Sequence, residues 1–528
     1  LMMKGRADDR RLFERGVKLN VMALVDSAGF DAEALAKGLE LSDYRLQPGD
    51  LTELKRLFEH ATTFGSLIQV PDELAAKLPV LKQLSETTSQ DLFVSEALKR
   101  LGPLVKQAEL LAAQYDAVVA NPPYMGGRFL NPEVKRFAQG PYPDAKSDLF
   151  ACFIERGYTL AKVAGYNAMV TMQSWMFLSS FEQMRERLLQ EKTVIAMAHL
   201  SGGIVCGFAT AVSVLRNLKL SSYVSSYCYT SEDDLDAALV PTEFPGRNNR
   251  LSRVDQDEFR KIPGSPVAYW VSSAVRDAFV RGAPLSGLAK PRTGMTTFDN
   301  NRFVRSWPEV DRNRTNRNAK SREEALGSKA KWFPYNKGGG FRKWYGNNSS
   351  LIDWYRDGEA IKKFIENKNP NVARGEKFFF MPSVTWSFIG ASLGARHSDA
   401  GALFDMGGSS AFPDEENHLW VAGLLCSSPV ATFMEAMNPT LNFQAGNLAS
   451  IPVLGHELRG KVSKLEGVVE ALIACARTDW DSYERSWDFQ FLPLLAAASE
   501  PTPTLESSYT GWITQNRDTI AEMKRLEE

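Results

Sequence analysis

The tetrapeptide Asn121-Pro122-Pro123-Tyr124 is the stretch of this chain whose residue types and spacing best suit a chemical task. An amino group conjugated to an aromatic ring is a poor nucleophile, because its lone pair is delocalised. Two fixed acceptors beside that nitrogen would take its two hydrogens, favour a pyramidal geometry and stabilise the positive charge that grows as it attacks a methyl donor. The side-chain oxygen of Asn121 and the carbonyl of Pro122 are such acceptors, and the successive prolines pre-set the backbone that holds them. Tyr124 adds a flat face for stacking a planar substrate. A DNA base would reach such a pocket only by flipping out of the duplex, at a cost of about a few kcal/mol that stacking helps repay. The same four residues also make an ordinary strand-ending turn. Their place at the C-terminal end of an expected parallel strand, where α/β proteins bind ligands, favours the chemical reading.

The elements that must position this turn follow from hydrophobic period. Residues 1–115 are mostly helical in pattern, with apolar residues at three- and four-residue spacing over Leu51 to Ala61 and Val80 to Ala113. The apolar run Tyr115 to Ala120 predicts a buried strand. Further strands are expected over Tyr166 to Met172, Thr193 to His199 and Ala211 to Leu218, with helices over Ser147 to Val163 and Ser180 to Gln190. This alternation predicts an α/β fold with a mostly parallel sheet. From about residue 221 the texture changes. Residues 221–288 read as a connecting region, 289–455 as an α+β domain with few clear helices, and 456–528 as a helical segment broken by Pro501-Thr502-Pro503.

Composition sets outer bounds. The chain has 528 residues, 44% hydrophobic and 24% charged, which excludes a largely disordered or collagen-like chain. No apolar run approaches the roughly 18 residues of a membrane span. Five scattered cysteines (Cys152, Cys206, Cys228, Cys426 and Cys475) form no CxxC pair, and the five histidines show no metal-ligand spacing. No structural metal and a reducing, cytoplasmic setting are expected. The opening Lys4 to Arg11 is too charged for a signal peptide. Leu1 to Arg15 and Asp518 to Glu528 both read as helices cut without caps, so a segment of a longer chain is expected.

The net charge of −1 is an average. Between Lys290 and Tyr345 stand 14 Lys and Arg against five acids, a local excess of nine, together with nine aromatics. Cations bind phosphates, Arg, Asn and Gln read base edges, and aromatics stack on bases. A solvated basic face over an aromatic core would show the same composition. The segment as a whole favours DNA contact.

With these motifs in place, the chain resembles the S-adenosylmethionine-dependent amino-methyltransferases of the adenine-specific DNA branch. Asn121 to Tyr124 match the catalytic motif. Lys146 to Phe150 resemble the next motif, which packs beside the cofactor, and Gly207-Phe208 resembles a later one. The resemblance implies a partial Rossmann-like core over residues 1–220 and catalytic roles for Asn121, Pro122, Pro123 and Tyr124. It also implies an adenine sandwiched by Tyr124 and Phe208, and cofactor contacts from Asp148, Leu149 and Phe150. Neither the family's glycine-rich first motif nor its ribose-binding acid lies upstream of residue 121. Lys331 to Gly346 and Asn438 to Gly446 resemble the target-recognition region of the phage-exclusion (BREX), PglX-like methyltransferases. That implies binding to double-stranded DNA through Arg302, Arg305, Lys331, Lys337, Arg342, Lys343, Asn442 and Gln444, and a role beside other phage-defence proteins. A type II restriction–modification fusion, a DNA-recognition module without catalysis, and RNA or protein-glutamine methylation stay open as alternatives.

Overall fold

A computed structural model describes residues 20–202, 204, 207–237, 242, 250–366, 375–454, 462–496 and 504–528. The opening helix expected over Leu1 to Arg15, together with Cys206, His456 and Pro501-Thr502-Pro503, lies outside the described residues. Two compact units emerge. One runs to Trp175 and resumes over Gln183–Val254; the other comprises Met176–Glu182 and everything from Asp255 onward.

The first unit begins with a helical layer, Ala32–Gly38, Pro48–Leu57, Leu78–Ser85 and Leu92–Ala112. Its starts are chemically marked. Asp31 accepts from the Glu33 and Ala34 N–H groups, and Asp91 from those of Phe93 and Val94, satisfying donors that a helix N-terminus leaves unpaired. Leu35, Leu51, Leu54, Leu81, Leu84, Leu101 and Leu104 meet in one buried core.

A six-stranded sheet follows: β1 (Tyr115–Ala120), β2 (Ala161–Met172), β3 (Thr193–Leu200), β4 (Thr210–Arg216), β5 (Val224–Thr230) and β6 (Leu251–Asp255). Its order is β1-β2-β4-β3-β5-β6. The α/β class is as expected, but the sheet is mixed rather than mostly parallel. β1 with β2 and β3 with β5 run parallel, while β4 is antiparallel to both β2 and β3. Among the described residues no crossover helix separates β3 from β4, and strands joined by so short a connection lie antiparallel. β5 and β6 extend this sheet from a stretch that reads as connecting in the sequence. β1, expected to be buried, stands at the sheet edge among the described residues, with Val119 72% exposed. A continuous apolar run shows that a strand suits burial on both faces; it does not supply the cover.

In the second unit, β7 (Ala283–Pro284) pairs with β16 (Pro452–Val453). Two four-stranded sheets stand between them in sequence. One orders β14 (Leu403–Phe404), β10 (Trp332–Asn336), β11 (Ser350–Asp353) and β9 (Val304–Ser306). The other orders β13 (Ala395–Ser398), β12 (Ser383–Trp386), β15 (Ser410–Pro413) and β8 (Ala289–Arg292). Phe333, Tyr335, Phe379, Phe380 and Phe404 share one core, and Val384, Trp386, Leu425, Met434, Leu472 and Trp480 another. The helix His418–Cys426 escapes sequence patterning because it is apolar nearly all round, and Ser428–Met437 follows it after a single residue. This bent pair passes a length-and-hydropathy test for a membrane span, but much of it packs in the second core; no single described helix is long and apolar enough to cross a membrane. Val462–Asp481 and Leu505–Glu527 form the expected helical C-terminal segment.

Candidate active site

β1 delivers the Asn-Pro-Pro-Tyr turn to the end of the sheet. Val119 pairs with Ala168 and Ala120 with Met169, so Asn121 leaves the strand level with Val170 on β2. The chain then folds back. The Tyr124 hydroxyl lies 3.0 Å from the Asn121 side-chain oxygen and 3.1 Å from the Val170 carbonyl, and shares its single proton between these two acceptors. An amide oxygen has two lone pairs. The tyrosine therefore orients the Asn121 carboxamide and leaves it one acceptor direction. Asn121 and Pro123 are exposed and Pro122 is buried, so the turn is anchored at its centre and open at its rim.

A second set of bonds zips the following residues onto the start of the helix Leu149–Leu160. The Met125 N–H donates to the Asp148 carboxylate at 2.9 Å, Gly127 N–H to the Ser147 carbonyl at 2.9 Å, and Leu149 N–H to the Met125 carbonyl at 3.2 Å. The same Asp148 oxygen caps the helix by accepting from Phe150 N–H at 3.3 Å. Burial pushes the Asp148 carboxyl above the usual carboxylate range, opposed by these N–H donors, which favour its charged form. Asp148 and Phe150 are buried, which leaves Leu149 as the partly accessible member of the three expected cofactor residues. Those three fit a wall beside a cofactor and do not offer it a polar cradle. Among the described residues, no group of His, Cys, Asp and Glu could hold a metal ion.

Tyr124 is flanked by two rings. Phe150 meets it edge-on at 6.3 Å, and Phe208, 42% exposed, meets it at 5.7 Å and 68°. The fold thus brings Tyr124 and Phe208 together, as the base-sandwich expectation requires. Their faces are not parallel, so a planar base between them would require the rings to part. Sequence reasoning missed the support behind Phe208. Gln173, just past β2, donates its N–H to the Ala209 carbonyl at 3.3 Å, and its side-chain oxygen lies 2.5 Å from His199 Nε2. Burial pushes the His199 imidazole down to about 4. Polar residues at the ends of the two strands that flank β4 were the one available clue.

The expected DNA-binding residues all lie in the second unit and are not one cluster of free cations. Lys331 pairs with Asp353 at 3.3 Å and Lys337 with the buried Asp405 at 2.5 Å. Arg342 pairs with Asp479, and Lys343 with Glu527 at 2.8 Å. Arg302 lies over the Phe303 and Phe364 rings, and Arg305 donates to the Asn301 and Val304 carbonyls. Asn442 uses its backbone in the turn, its N–H bonded to Thr440 and its carbonyl to the Asn438 side chain. Gln444 precedes the short helix Ala445–Ala449 and accepts from Leu448 N–H.

Comparison with known proteins supplies an independent view. Residues 52–205 match the family described as Eco57I restriction-modification methylase. The chain is 35% identical to the adenine-specific methyltransferase BrxX of Escherichia coli O9:H4 (strain HS), over 93% of this chain and 41% of that protein. It is 33% identical to the adenine-specific methyltransferase PglX of Lacticaseibacillus casei (strain Zhang), over 100% of this chain and 45% of that protein. Among solved structures it is similar to the Type IIL restriction-modification enzyme MmeI in complex with DNA, at 12% identity and a TM-score of 0.45, over 92% of this chain and 70% of that one. The chain spans less than half the length of the curated relatives it matches. The resemblance carried by the motifs therefore holds along nearly the whole chain, which is a relative of the PglX-type adenine-specific methyltransferases.

Proposed function

We propose that this chain supplies the target-base pocket and the DNA-recognition region of a site-specific adenine N6-methyltransferase that marks host DNA in bacterial phage defence. The observation that carries the reading is the Asn121 carboxamide, held by the Tyr124 hydroxyl at the end of β1 with an acceptor direction to spare. The methyl donor implied by the family is S-adenosylmethionine, which supplies an electrophilic methyl group when bound. In this reading Asn121 and the Pro122 carbonyl accept the two hydrogens of the adenine amine and stabilise its developing charge. Tyr124 stacks on the flipped base, Phe208 closes the other face once the rings part, and the displaced proton leaves to water. Residues 289–455 select the DNA sequence. In the complete protein, Asn121→Ala should lower methylation of duplex DNA by about a hundredfold or more, as losing one preorganised hydrogen-bonding partner does at an oxyanion site, while DNA affinity holds. Parallel loss of both activities, or labelling of RNA or protein alone, would sink the assignment.

A second reading, a recognition module without catalysis in this chain alone, is favoured by the buried, fully engaged Asp148 and Phe150. Calorimetric titration of the chain with S-adenosylmethionine separates the two, since micromolar binding excludes the module.

A further inference from the structure

The basic segment divides into two populations. Arg317, Arg342 and Lys343 face carboxylates from the C-terminal region, namely Asp488 at 2.9 Å, Asp479, and Glu527 at 2.8 Å. Indole groups follow the same path. Trp344 Nε1 donates to Glu527 at 2.7 Å and Trp307 Nε1 to the Arg485 carbonyl at 2.9 Å. A cation already matched to a carboxylate offers a phosphate little, because binding the phosphate would strand the acid beside a second anion. Such pairs fasten residues 307–344 to the C-terminal helices and the turn between them.

Arg312, Arg314, Lys320 and Lys329 behave differently. All four are exposed, and none has its side chain in an ion pair among the described residues, although the Lys320 backbone N–H donates to the Glu324 carboxylate at 2.8 Å. The backbone gathers them. Lys331 N–H donates to the Arg314 carbonyl at 2.8 Å and Asn316 N–H to the Trp332 carbonyl at 3.0 Å, laying residues 314–316 alongside 331–332. Asp311 caps the turn that carries Arg312 and Arg314 by accepting from Asn313 N–H at 2.9 Å. Lys320 stands just before the helix Arg322–Gly327, which leads back to Lys329. The turn carrying Arg312 and Arg314 is thus tied to the strand that follows Lys329, and Lys320 stands at the far end of the short helix between them, so four cations without ion-pair partners among the described residues lie along one stretch of chain.

We propose that the phosphate backbone of duplex DNA is met by this Arg312–Arg314–Lys320–Lys329 stretch, and that Arg342 and Lys343 serve instead to hold the C-terminal helices. The proposal rests on the DNA-binding reading above. The test compares the full chain with R312Q/R314Q/K320Q/K329Q and with R342Q/K343Q, using the affinity for a labelled duplex across about 50–200 mM salt. Each lost phosphate contact lowers the magnitude of the log–log salt slope by about 0.9. The quadruple variant should lose about three and a half units of slope and keep its melting temperature. The double variant should keep its slope, melt earlier and expose Leu505–Glu527 to protease. An unchanged slope in the quadruple variant, or a larger slope loss in a folded double variant, overturns the proposal. An unmodified chain that binds no duplex at about 50 mM salt overturns both the proposal and the DNA reading beneath it, and is told apart because no slope then exists to compare.

Discussion

Asp148 offers the sharpest test of what the structure adds, because a cofactor contact and a structural anchor make opposite demands on it. Its side chain accepts from Met125 N–H at 2.9 Å and Phe150 N–H at 3.3 Å, and the residue is 9% exposed. Replacing it with Ala removes a helix cap, about 1 kcal/mol. It also leaves the Met125 N–H without its partner, about 1–3 kcal/mol more. Together these give about 2–4 kcal/mol, a melting shift of about 5–15 °C for a unit of this size. Asp148→Asn keeps an oxygen for the same N–H groups and removes a carboxyl whose charged form burial disfavours, so its loss should stay below about 1 kcal/mol. Thermal unfolding of the three proteins, paired with methyl transfer at a temperature where all remain folded, gives the readout. If Asp148→Asn melts like the parent yet loses methyl-donor binding, the carboxylate contacts the donor directly and the anchoring argument is wrong.

Two further perturbations bear on the rest of the molecule. Trp386 is fully buried and donates Nε1–H to the Phe443 carbonyl at 2.9 Å, so Trp386→Phe should destabilise the second unit by about 2–4 kcal/mol through a cavity and an unmade bond, read by denaturant unfolding. Burial holds the His199 imidazole near 4, and burial and the neighbouring His397 do the same for His418, against an ordinary 6.5. The unfolded chain therefore binds protons that the folded one refuses. Stability should fall as pH drops from about 6.5 to about 4, by about 3 kcal/mol at most for each ring. Asp399, held below its usual range by His397 and Arg477, adds a loss in the same direction at lower pH. A stability profile flat over this window would refute the assignment of both imidazoles.

Much of the fold was legible locally. The strand Tyr115–Ala120 appears with the bounds its apolar run implies, and β3 ends one residue beyond expectation. The Asn-Pro-Pro-Tyr turn stands at a strand end, because prolines and a strand-breaking Asn act on their own backbone. β2 was misjudged at its start. It begins at Ala161, immediately after the helix Leu149–Leu160, where Ala164 takes a left-handed φ of 62° that no residue preference announces. The antiparallel placement of β4 was equally hidden, since strand sense depends on the path of the connection.

The sequence alone singled out the residues proposed to carry the chemistry: the acceptors at Asn121 and Pro122, the ring of Tyr124, and a basic, aromatic stretch downstream. Those choices are written in residue type and in spacings of a few positions. Only the tertiary structure decided what each group has left to offer. Tyr124 turns back to orient Asn121, and Asp148 spends its carboxylate on Met125 and Phe150. Arg342 meets Asp479 across 137 residues, and Lys343 meets Glu527 across 184. Residue type sets the charge of a side chain, whereas its partner is set by where the whole chain brings the opposite charge.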